Sequence, residues 1–226
     1  MSLILGLLGG MGPAATVDFL AKLQALTPAK QDQDHIRVLM DLNPQVPDRN
    51  TEATAAGLEL AEMAQALAGA GAQVLAIACN TAHAHARTIA EAADLPLIDM
   101  IECAAGEAQD TGAQRVGVLG GKQALRLYHE HLAARGLSAL FLPPERQAAF
   151  TEVLNRIRAG DLGDAVRAEM KTLAGELVAA GARCVIAGCT EVPLVLAQAD
   201  LNVPLVDSAE ALARRCVAVC KGWDRP

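Results

Sequence analysis

Two apolar patterns alternate along this 226-residue chain. Continuous apolar runs such as VLAIA (74–78) and CVIAG (184–188) are typical of parallel strands that are buried on both faces. Apolar residues at helical spacing predict helices over Thr51–Ala70 and Asp164–Ala180, each ending at a glycine. Strands that alternate with helices in this way predict α/β structure with parallel sheets.

The second half of the chain repeats the first. LGLLGG (5–10) resembles VGVLGG (116–121), AGAQVLAIACNT (70–81) resembles AGARCVIAGCT (180–190), and LPLID (95–99) resembles VPLVD (203–207). The three pairs follow the same order at a nearly constant offset, which indicates an internal repeat. We therefore predict two pseudo-symmetric α/β domains that face each other, each a parallel sheet flanked by helices, with the active site in the cleft between them. The expected domains are 1–104 and 105–207.

Charge and composition exclude some classes of partner. The net charge is −7, the acidic residues are spread along the chain and there is no Lys/Arg cluster, so we expect no nucleic-acid partner. The first residues, MSLILGLLGGMGP, lack a basic leader region and form too short an apolar run to span a bilayer. We interpret them as a buried first strand and expect a cytoplasmic protein with no membrane partner.

The chain has six cysteines, at 79, 103, 184, 189, 216 and 220, with no CxxC pair and no histidine cluster at zinc-ligand spacing. We expect reduced thiols and no metal, and we interpret Cys103, Cys184, Cys216 and Cys220 as core residues. Cys79 and Cys189 differ from these four cysteines. Each of the two ends a buried strand and is followed by Thr or Asn-Thr, where a helix is expected to begin. Backbone N–H groups there can hold a carboxylate or stabilise a thiolate.

Two equivalent thiols suggest a reaction. One cysteine, as thiolate, would remove a proton from the α-carbon of a substrate in the cleft, and the other, as thiol, would donate a proton to the opposite face. Racemisation is the chemistry that needs two near-equivalent acid/base groups.

Five segments resemble the aspartate/glutamate racemase family, in particular its aspartate-racemase branch. They are GLLGGMGPAAT (6–16), TPAKQDQDH (27–35), NPQVPDR (43–49), ACNTAH (78–83) and GCTEVPL (188–194). The resemblance implies two α/β domains with the site in their cleft, a homodimer in many members, and catalysis with neither pyridoxal phosphate nor metal. It also implies that Cys79 and Cys189 are catalytic and that a C-terminal helix, over 208–226, packs back on the first domain.

The resemblance further implies a set of substrate-binding residues: Met11 and Gly12 lining the cleft, Asn80, Thr81 and Thr190 at the amino-acid end, and Arg49 on a carboxylate. Arg158 stands where the family usually has a lysine for the acidic side chain, so the choice between aspartate and glutamate stays open. Glu191 either orients the thiol or the substrate ammonium, or is an exposed glutamate at the start of a helix.

Other interpretations stay open as well. His83 fits a structural role better than a catalytic one, and the roles of Asp99 and Asp207 are undecided. Related chemistry, such as that of a maleate isomerase, a hydantoin racemase or an arylmalonate decarboxylase, is one alternative, although such decarboxylases lack one of the two cysteines. A non-catalytic amino-acid-binding protein is another.

Overall fold

The computed structural model describes residues 2–225. The chain divides into two compact units: the first runs to Met100 and resumes at Ala209, and the second is Ile101–Ser208. No helix of the described residues is long and apolar enough to cross a membrane.

The first unit contains one parallel sheet. Its strands are β1 (Leu5–Gly9), β2 (Val38–Leu42), β3 (Val74–Ile77) and β4 (Leu97–Ile98), in the spatial order β2-β1-β3-β4. Its helices are α1 (Pro13–Leu26), α2 (Ala53–Gly69) and α3 (Ala86–Ala93). Every residue of β1 and β3 is buried, whereas the residues of the edge strand β2 are partly or fully exposed.

The second unit repeats this arrangement. The helix α4 (Met100–Asp110) leads into it, and its strands are β5 (Arg115–Gly120), β6 (Ser138–Leu140), β7 (Cys184–Gly188) and β8 (Leu205–Asp207), in the order β6-β5-β7-β8. All neighbouring strands are parallel. Its helices are α5 (Lys122–Ala134), α6 (Pro144–Arg158) and α7 (Asp164–Ala179).

The last helix, α8 (Ser208–Cys220), begins at the border of the two units. The Ser208 hydroxyl donates a hydrogen bond to the carbonyl of Ala187 at 2.7 Å. At its other end, the carbonyl of Cys220 accepts hydrogen bonds from the Leu3 N–H and the Ser2 hydroxyl, each at 2.9 Å. The end of α8 is thereby joined to the segment that precedes β1.

These sheets confirm the predicted fold class of two repeated parallel α/β units. The predicted helices over Thr51–Ala70 and Asp164–Ala180 correspond to α2 and α7. Another expectation was wrong: no α-helix begins directly after either strand-end cysteine. A 3₁₀ helix (Thr81–His85) precedes α3, and only two short 3₁₀ helices (Val192–Leu194 and Gln198–Asp200) lie between β7 and β8.

Candidate active site

Cys79 lies in the turn at the carboxyl end of β3 and is 5 % exposed. In parallel α/β sheets, ligands bind beyond the carboxyl ends of the strands. Asn80, which begins the following 3₁₀ helix, is buried as well, whereas Thr81 is partly exposed. The turn therefore places a thiol, an amide and a hydroxyl together at the edge of the sheet where a ligand is expected.

The side chain of His83 fixes this turn. Its Nε2 accepts a hydrogen bond from the backbone N–H of Met100 at 3.0 Å, so Nε2 carries no proton in this arrangement. Its Nδ1 lies 2.8 Å from the carbonyl oxygen of Cys79 and is therefore the nitrogen that donates. The buried imidazole thus joins the main chain of Cys79 to the first residue of α4, which is a structural role.

A glycine turn after β1 lies beside Cys79. The Gly10 N–H donates to the hydroxyl of Thr16 at 2.9 Å, and that hydroxyl donates to the carbonyl of Gly12 at 3.0 Å. Gly12 caps the N-terminus of α1, and Met11 is buried in the same apolar cluster as Cys79 and Val46. Met11 and Cys79, both predicted site residues, are thus brought into one cluster.

Arg49 lies on the loop between β2 and α2. Its Nη1 donates to the carbonyls of Val46 at 3.5 Å and Pro47 at 3.3 Å, both long contacts, and among the described residues its buried Nε has no hydrogen-bond partner. The loop itself is well fixed, because the carboxylate of Asp48 accepts hydrogen bonds from the main chain of Asn50 and Thr51. Burial alone would raise the pKa of Asp48, but these hydrogen bonds lower it overall.

The second thiol has a carboxylate partner. Cys189 follows β7 directly, is 9 % exposed, and donates from Sγ to Oε2 of Glu191 at 2.8 Å. Glu191 is itself 3 % exposed, so it is not the exposed glutamate that was one of the two interpretations of the sequence. Its other oxygen, Oε1, accepts a hydrogen bond from Nε of Arg158 at 3.3 Å. The hydroxyl of Thr190 lies 3.5 Å from Oε2 of the same carboxylate.

The environment of Cys189 favours the protonated thiol. Burial raises its pKa most, and the negative charge of Glu191 and the hydrogen bond to that carboxylate raise it further. The charge of Arg158 and the backbone N–H of Glu191 act in the opposite direction but do not cancel the rise. Cys189 therefore needs a change in its surroundings, or an acceptor for its proton, before it can act as a base.

The predicted site residues thus form two groups, one in each unit. In the first unit, Met11 and Cys79 share one cluster, and Gly12, Asn80 and Thr81 adjoin them in the chain, while Arg49 is joined to the cluster through Val46. In the second unit, Cys189, Thr190, Glu191 and Arg158 are linked by hydrogen bonds. Asp99 and Asp207 each immediately precede a helix, α4 and α8.

The sequence interpretation did not single out two further side chains at these edges. Asn43, after β2, donates to Glu59 at 2.7 Å and accepts from the N–H of Gln45 at 2.9 Å, which holds the start of the Arg49 loop. It lies within the NPQVPDR segment, so the motif offered a signal. Gln147 of α6 donates to the carbonyl of Gly120 at the end of β5 at 2.9 Å, and nothing in its surrounding sequence distinguishes it.

Two units with the same strand order, each with a cysteine at the carboxyl end of the third strand in its sheet, define a two-domain α/β fold of the racemase type. The chain belongs to the family described as Asp/Glu/hydantoin racemase, whose model matches residues 8–216. This confirms the family and the racemase class predicted from the motifs.

Individual relatives agree with this assignment. The chain is 26% identical over 223 residues to the broad specificity amino-acid racemase RacX of Bacillus subtilis, covering 95% of this chain and 97% of that protein. The Picrophilus torridus aspartate racemase structure superposes with a TM-score of 0.85 at 26% identity, over 97% of this chain and 94% of that one. An aspartate racemase homologue from Pyrococcus horikoshii has the same fold, with a TM-score of 0.80 at 24% identity over 98% of this chain and 100% of that one.

Proposed function

We propose that the protein is a cofactor-independent racemase of an acidic amino acid, aspartate or glutamate, with Cys79 and Cys189 as its two acid/base groups. The observation that carries the proposal is the matched position of the two thiols, each at the carboxyl end of the third strand in sheets of identical order. A metal is not part of the proposal, and no cluster of metal-ligating side chains occurs within residues 2–225.

The reaction would be a transfer of protons. One cysteine, as thiolate, takes the α-proton: the Cα–H bond breaks and an S–H bond forms. The other thiol gives its proton to the opposite face of the same carbon, so the configuration inverts and the protonation states of the two cysteines exchange. The proposal requires both thiols to reach one substrate, from opposite faces.

Binding would rest on the polar groups at the two edges. We assign Asn80, Thr81 and Thr190 to the amino-acid end of the substrate, and Met11 and Gly12 to the wall of the site. Arg49 would bind one carboxylate, which is supported by its buried Nε, a group without a hydrogen-bond partner among the described residues. Arg158, whose side chain is 43% exposed, would bind the other, so that two cations on two units select a dicarboxylic amino acid.

The α-proton of an amino acid is a weak acid, so the carbanion-like state must be stabilised. Hydrogen-bond donors placed around the carboxylate contribute most when water is excluded from the site. Both thiols are at least nine-tenths buried, which already keeps bulk water from the sulfur atoms.

The first experiment incubates the purified protein with L-aspartate, and separately with L-glutamate, in D₂O without added cofactor. Chiral chromatography follows the D-enantiomer, and NMR follows deuterium at the α-carbon. Cys79→Ser and Cys189→Ser are compared with Cys103→Ser, a partly exposed cysteine of α4 that is not one of the predicted site residues. We expect deuterated D-amino acid from the wild type and from Cys103→Ser, and none from the other two variants.

Other outcomes would change the assignment. Exchange without inversion would mean that only one cysteine acts on the α-carbon. Racemisation of many neutral amino acids would extend the substrate range toward that of a broad specificity racemase. Absence of exchange with both acids would reject this substrate class, and hydantoins and maleate would then be tested as substrates.

The finer properties implied by the family resemblance belong to the same proposal. They are a homodimer, activity without pyridoxal phosphate, and a location in the cytoplasm. Light scattering on the eluting protein measures the mass of the assembly, and activity after treatment with a carbonyl reagent tests for pyridoxal phosphate.

A further inference from the structure

The outer edge of β2 is the longest strand edge that residues 2–225 leave unpaired. β2 stands at the end of its sheet and has β1 as its neighbour on one side only. The other edge strands, β4, β6 and β8, have two or three residues, whereas β2 has five. Short length, proline and lysine are three means by which proteins prevent pairing at an edge, and β2, with the sequence VLMDL, uses none of them. The edge is therefore suited to pairing with another strand.

The main-chain groups of every second residue of β2 point away from the sheet. The Leu5 N–H donates to the carbonyl of Arg37 at 3.0 Å, and the Asn43 N–H donates to the carbonyl of Gly9 at 3.3 Å. Along a parallel strand, the residues that bond to one neighbour alternate with those that face the other side, so the odd-numbered residues of this stretch face β1. The N–H and C=O groups at positions 38, 40 and 42 therefore face the unpaired edge.

The side chains of β2 alternate between the two faces of the sheet. On one face, Leu39 packs against the apolar cluster that includes residues of α2. On the other face, Val38 lines a groove of about 220 Å³ together with Leu20 and Leu23 of α1. Met40 shares this second face with Val38 and is 41% exposed. An open apolar groove and an exposed apolar side chain thus lie on the same face of the edge strand.

The sequence of β2 is complementary to itself in one antiparallel register. When Val38 lies opposite Met40 of a second copy, the outward main-chain groups of the two strands meet as hydrogen-bonded pairs. The exposed Arg37 then lies opposite Asp41 of the second copy, and the two copies of Leu39 lie opposite each other. Each of these cross-strand pairs is either apolar with apolar or positive with negative, and both kinds of pair are stabilising.

Other registers lose this complementarity. A slip of one residue sets outward main-chain groups against inward ones. A slip of two residues sets Leu39 opposite Asp41 or Arg37, and a slip of four sets two like charges opposite each other. A register in which each unlike pair occurs twice is the one that a two-fold axis between identical chains produces. The charges and the apolar pairs therefore favour a second copy of this chain as the occupant of the edge.

A dimer follows from these pairs. We propose that two copies of this chain pair β2 with β2, antiparallel and about a two-fold axis, so that the two four-stranded sheets form one sheet of eight strands. Met40 of each copy then lies opposite Val38 and enters the groove beside α1 of the other copy. The homodimer of the proposed function is thereby given a surface. The pairing uses only the first unit and needs neither strand-end cysteine, so it does not depend on racemase chemistry.

Charge reversal tests the pairing. Light scattering should give the wild type twice the mass of one chain, which is 23.5 kDa. Asp41→Arg and Arg37→Asp each set like charges opposite each other, and we expect the dissociation constant of the dimer to rise about tenfold or more. Combining the two substitutions restores opposite charges and should restore the dimer. Glu152→Arg, at an exposed position of α6 in the second unit, is the control and should stay dimeric.

A cross-link tests the register and does not require the dimer to be weakened. The two copies of Leu39 form a non-hydrogen-bonded pair, whose Cα atoms are about 4.5 Å apart and within the range of a disulfide. Leu39→Cys should therefore give a disulfide-linked dimer under mild oxidation. Asp41→Cys should not, because the two Cα atoms at that position would be about 13 Å apart. The wild type, whose cysteines are buried except for the partly exposed Cys103, gives the background.

Three results would overturn the proposal. They are a monomeric wild type, a dimer that both charge reversals leave unchanged, and a dimer in which Leu39→Cys forms no cross-link. Racemase assays on the same samples separate the surface from the proposed function. If the wild type racemises neither acid, the proposed function fails, and the measured mass and the cross-link still decide whether β2 forms the interface.

Discussion

At the scale of single residues, the surroundings of Arg49 support the proposal that this side chain serves binding rather than stability. Its guanidinium contacts two main-chain carbonyls at long distance, and its buried Nε is unpartnered among the described residues. A buried N–H group without an acceptor costs free energy, which a bound carboxylate would recover. The loop that carries Arg49 is fixed independently by Asp48, so the side chain can be changed without losing the loop.

We therefore expect Arg49→Lys to raise KM about tenfold to hundredfold, since a lysine keeps the charge but loses the fork of donors. The melting temperature should change little. Steady-state kinetics on the preferred acid measures the effect, and Arg87→Lys, at a side chain that is 90% exposed, is the control. An unchanged KM would remove Arg49 from the binding site.

Glu191 illustrates what the sequence shows about a residue and what it does not. The segment GCTEVPL indicates that a glutamate follows the cysteine, but a glutamate at the start of a turn is usually exposed. In the structure Glu191 is buried, and the end of α6 brings Arg158 beside it from 33 residues earlier in the chain. This contact is tertiary, so neither spacing nor composition could predict it.

At the scale of elements, the turn after β1 is held against the end of β2. Gly10 has a φ of +93°, and a Cβ there would lie 2.4 to 2.6 Å from the backbone atoms of Asn43. Only glycine fits both the left-handed conformation and the close approach. The two loops that carry Met11 and Arg49 are thus in contact at their starts.

Gly10→Ala should lower the free energy of unfolding by about 2–4 kcal/mol, because the new methyl group would force the two backbones apart. Chemical denaturation measures the change. The matched control is Gly69→Ala at the end of α2, where nothing lies within 4 Å of the added Cβ; there we expect no loss, or a gain of up to about 1 kcal/mol. A similar effect of the two substitutions would contradict the close contact with Asn43.

The contacts of His83 lead to a second prediction at this scale. His83→Ala leaves the carbonyl of Cys79 and the N–H of Met100 without their partner and opens a buried space. We expect a loss of about 2–4 kcal/mol in the free energy of unfolding, and a fall in kcat that exceeds any change in KM. The control is His129→Ala, at an exposed position of α5, which should behave as the wild type. If His83→Ala changed kcat and KM equally, this would argue against a role of His83 in holding Cys79.

The central strands of each sheet were predictable, and so were the short edge strands β4 and β8 in the repeated segments, whereas the edge strands β2 and β6 were not. β1, β3, β5 and β7 are continuous apolar runs because neighbouring strands and helices bury them on both faces. β2 and β6 lie at the edges, are partly exposed and have no such run, so their sequences do not distinguish them from loops. The 3₁₀ helices after the cysteines escaped prediction for a similar reason, since they are too short to show a periodicity.

At the scale of the whole molecule, buried thiols make the fold sensitive to alkali. Burial raises the pKa of Cys184 in the second unit and of Cys220 in the first unit, each to about 11 from a reference of 9.0. The unfolded chain would lose these protons at lower pH than the folded chain does. Their contribution to stability is therefore complete below pH 9.0 and is lost as the pH rises toward about 11.

We expect the free energy of unfolding to fall by about 2 kcal/mol per thiol across this range. Chemical denaturation at a series of alkaline pH values measures the slope of the free energy of unfolding against pH. Cys184→Ala should make the slope shallower, although it also lowers stability at neutral pH by leaving space in β7. An identical slope in this variant would mean that the Cys184 thiol does not stay protonated in the folded chain.

The return of α8 to the first unit also affects how the chain folds during synthesis. The second unit is continuous in sequence, so all of its residues are available soon after Ser208 leaves the ribosome. The first unit begins earlier but must wait for the segment from Ala209 onward, whose main chain binds Leu3. The part that is translated first is thus completed last, because the hydrogen bond between Leu3 and Cys220 can form only after the whole second unit has been synthesised.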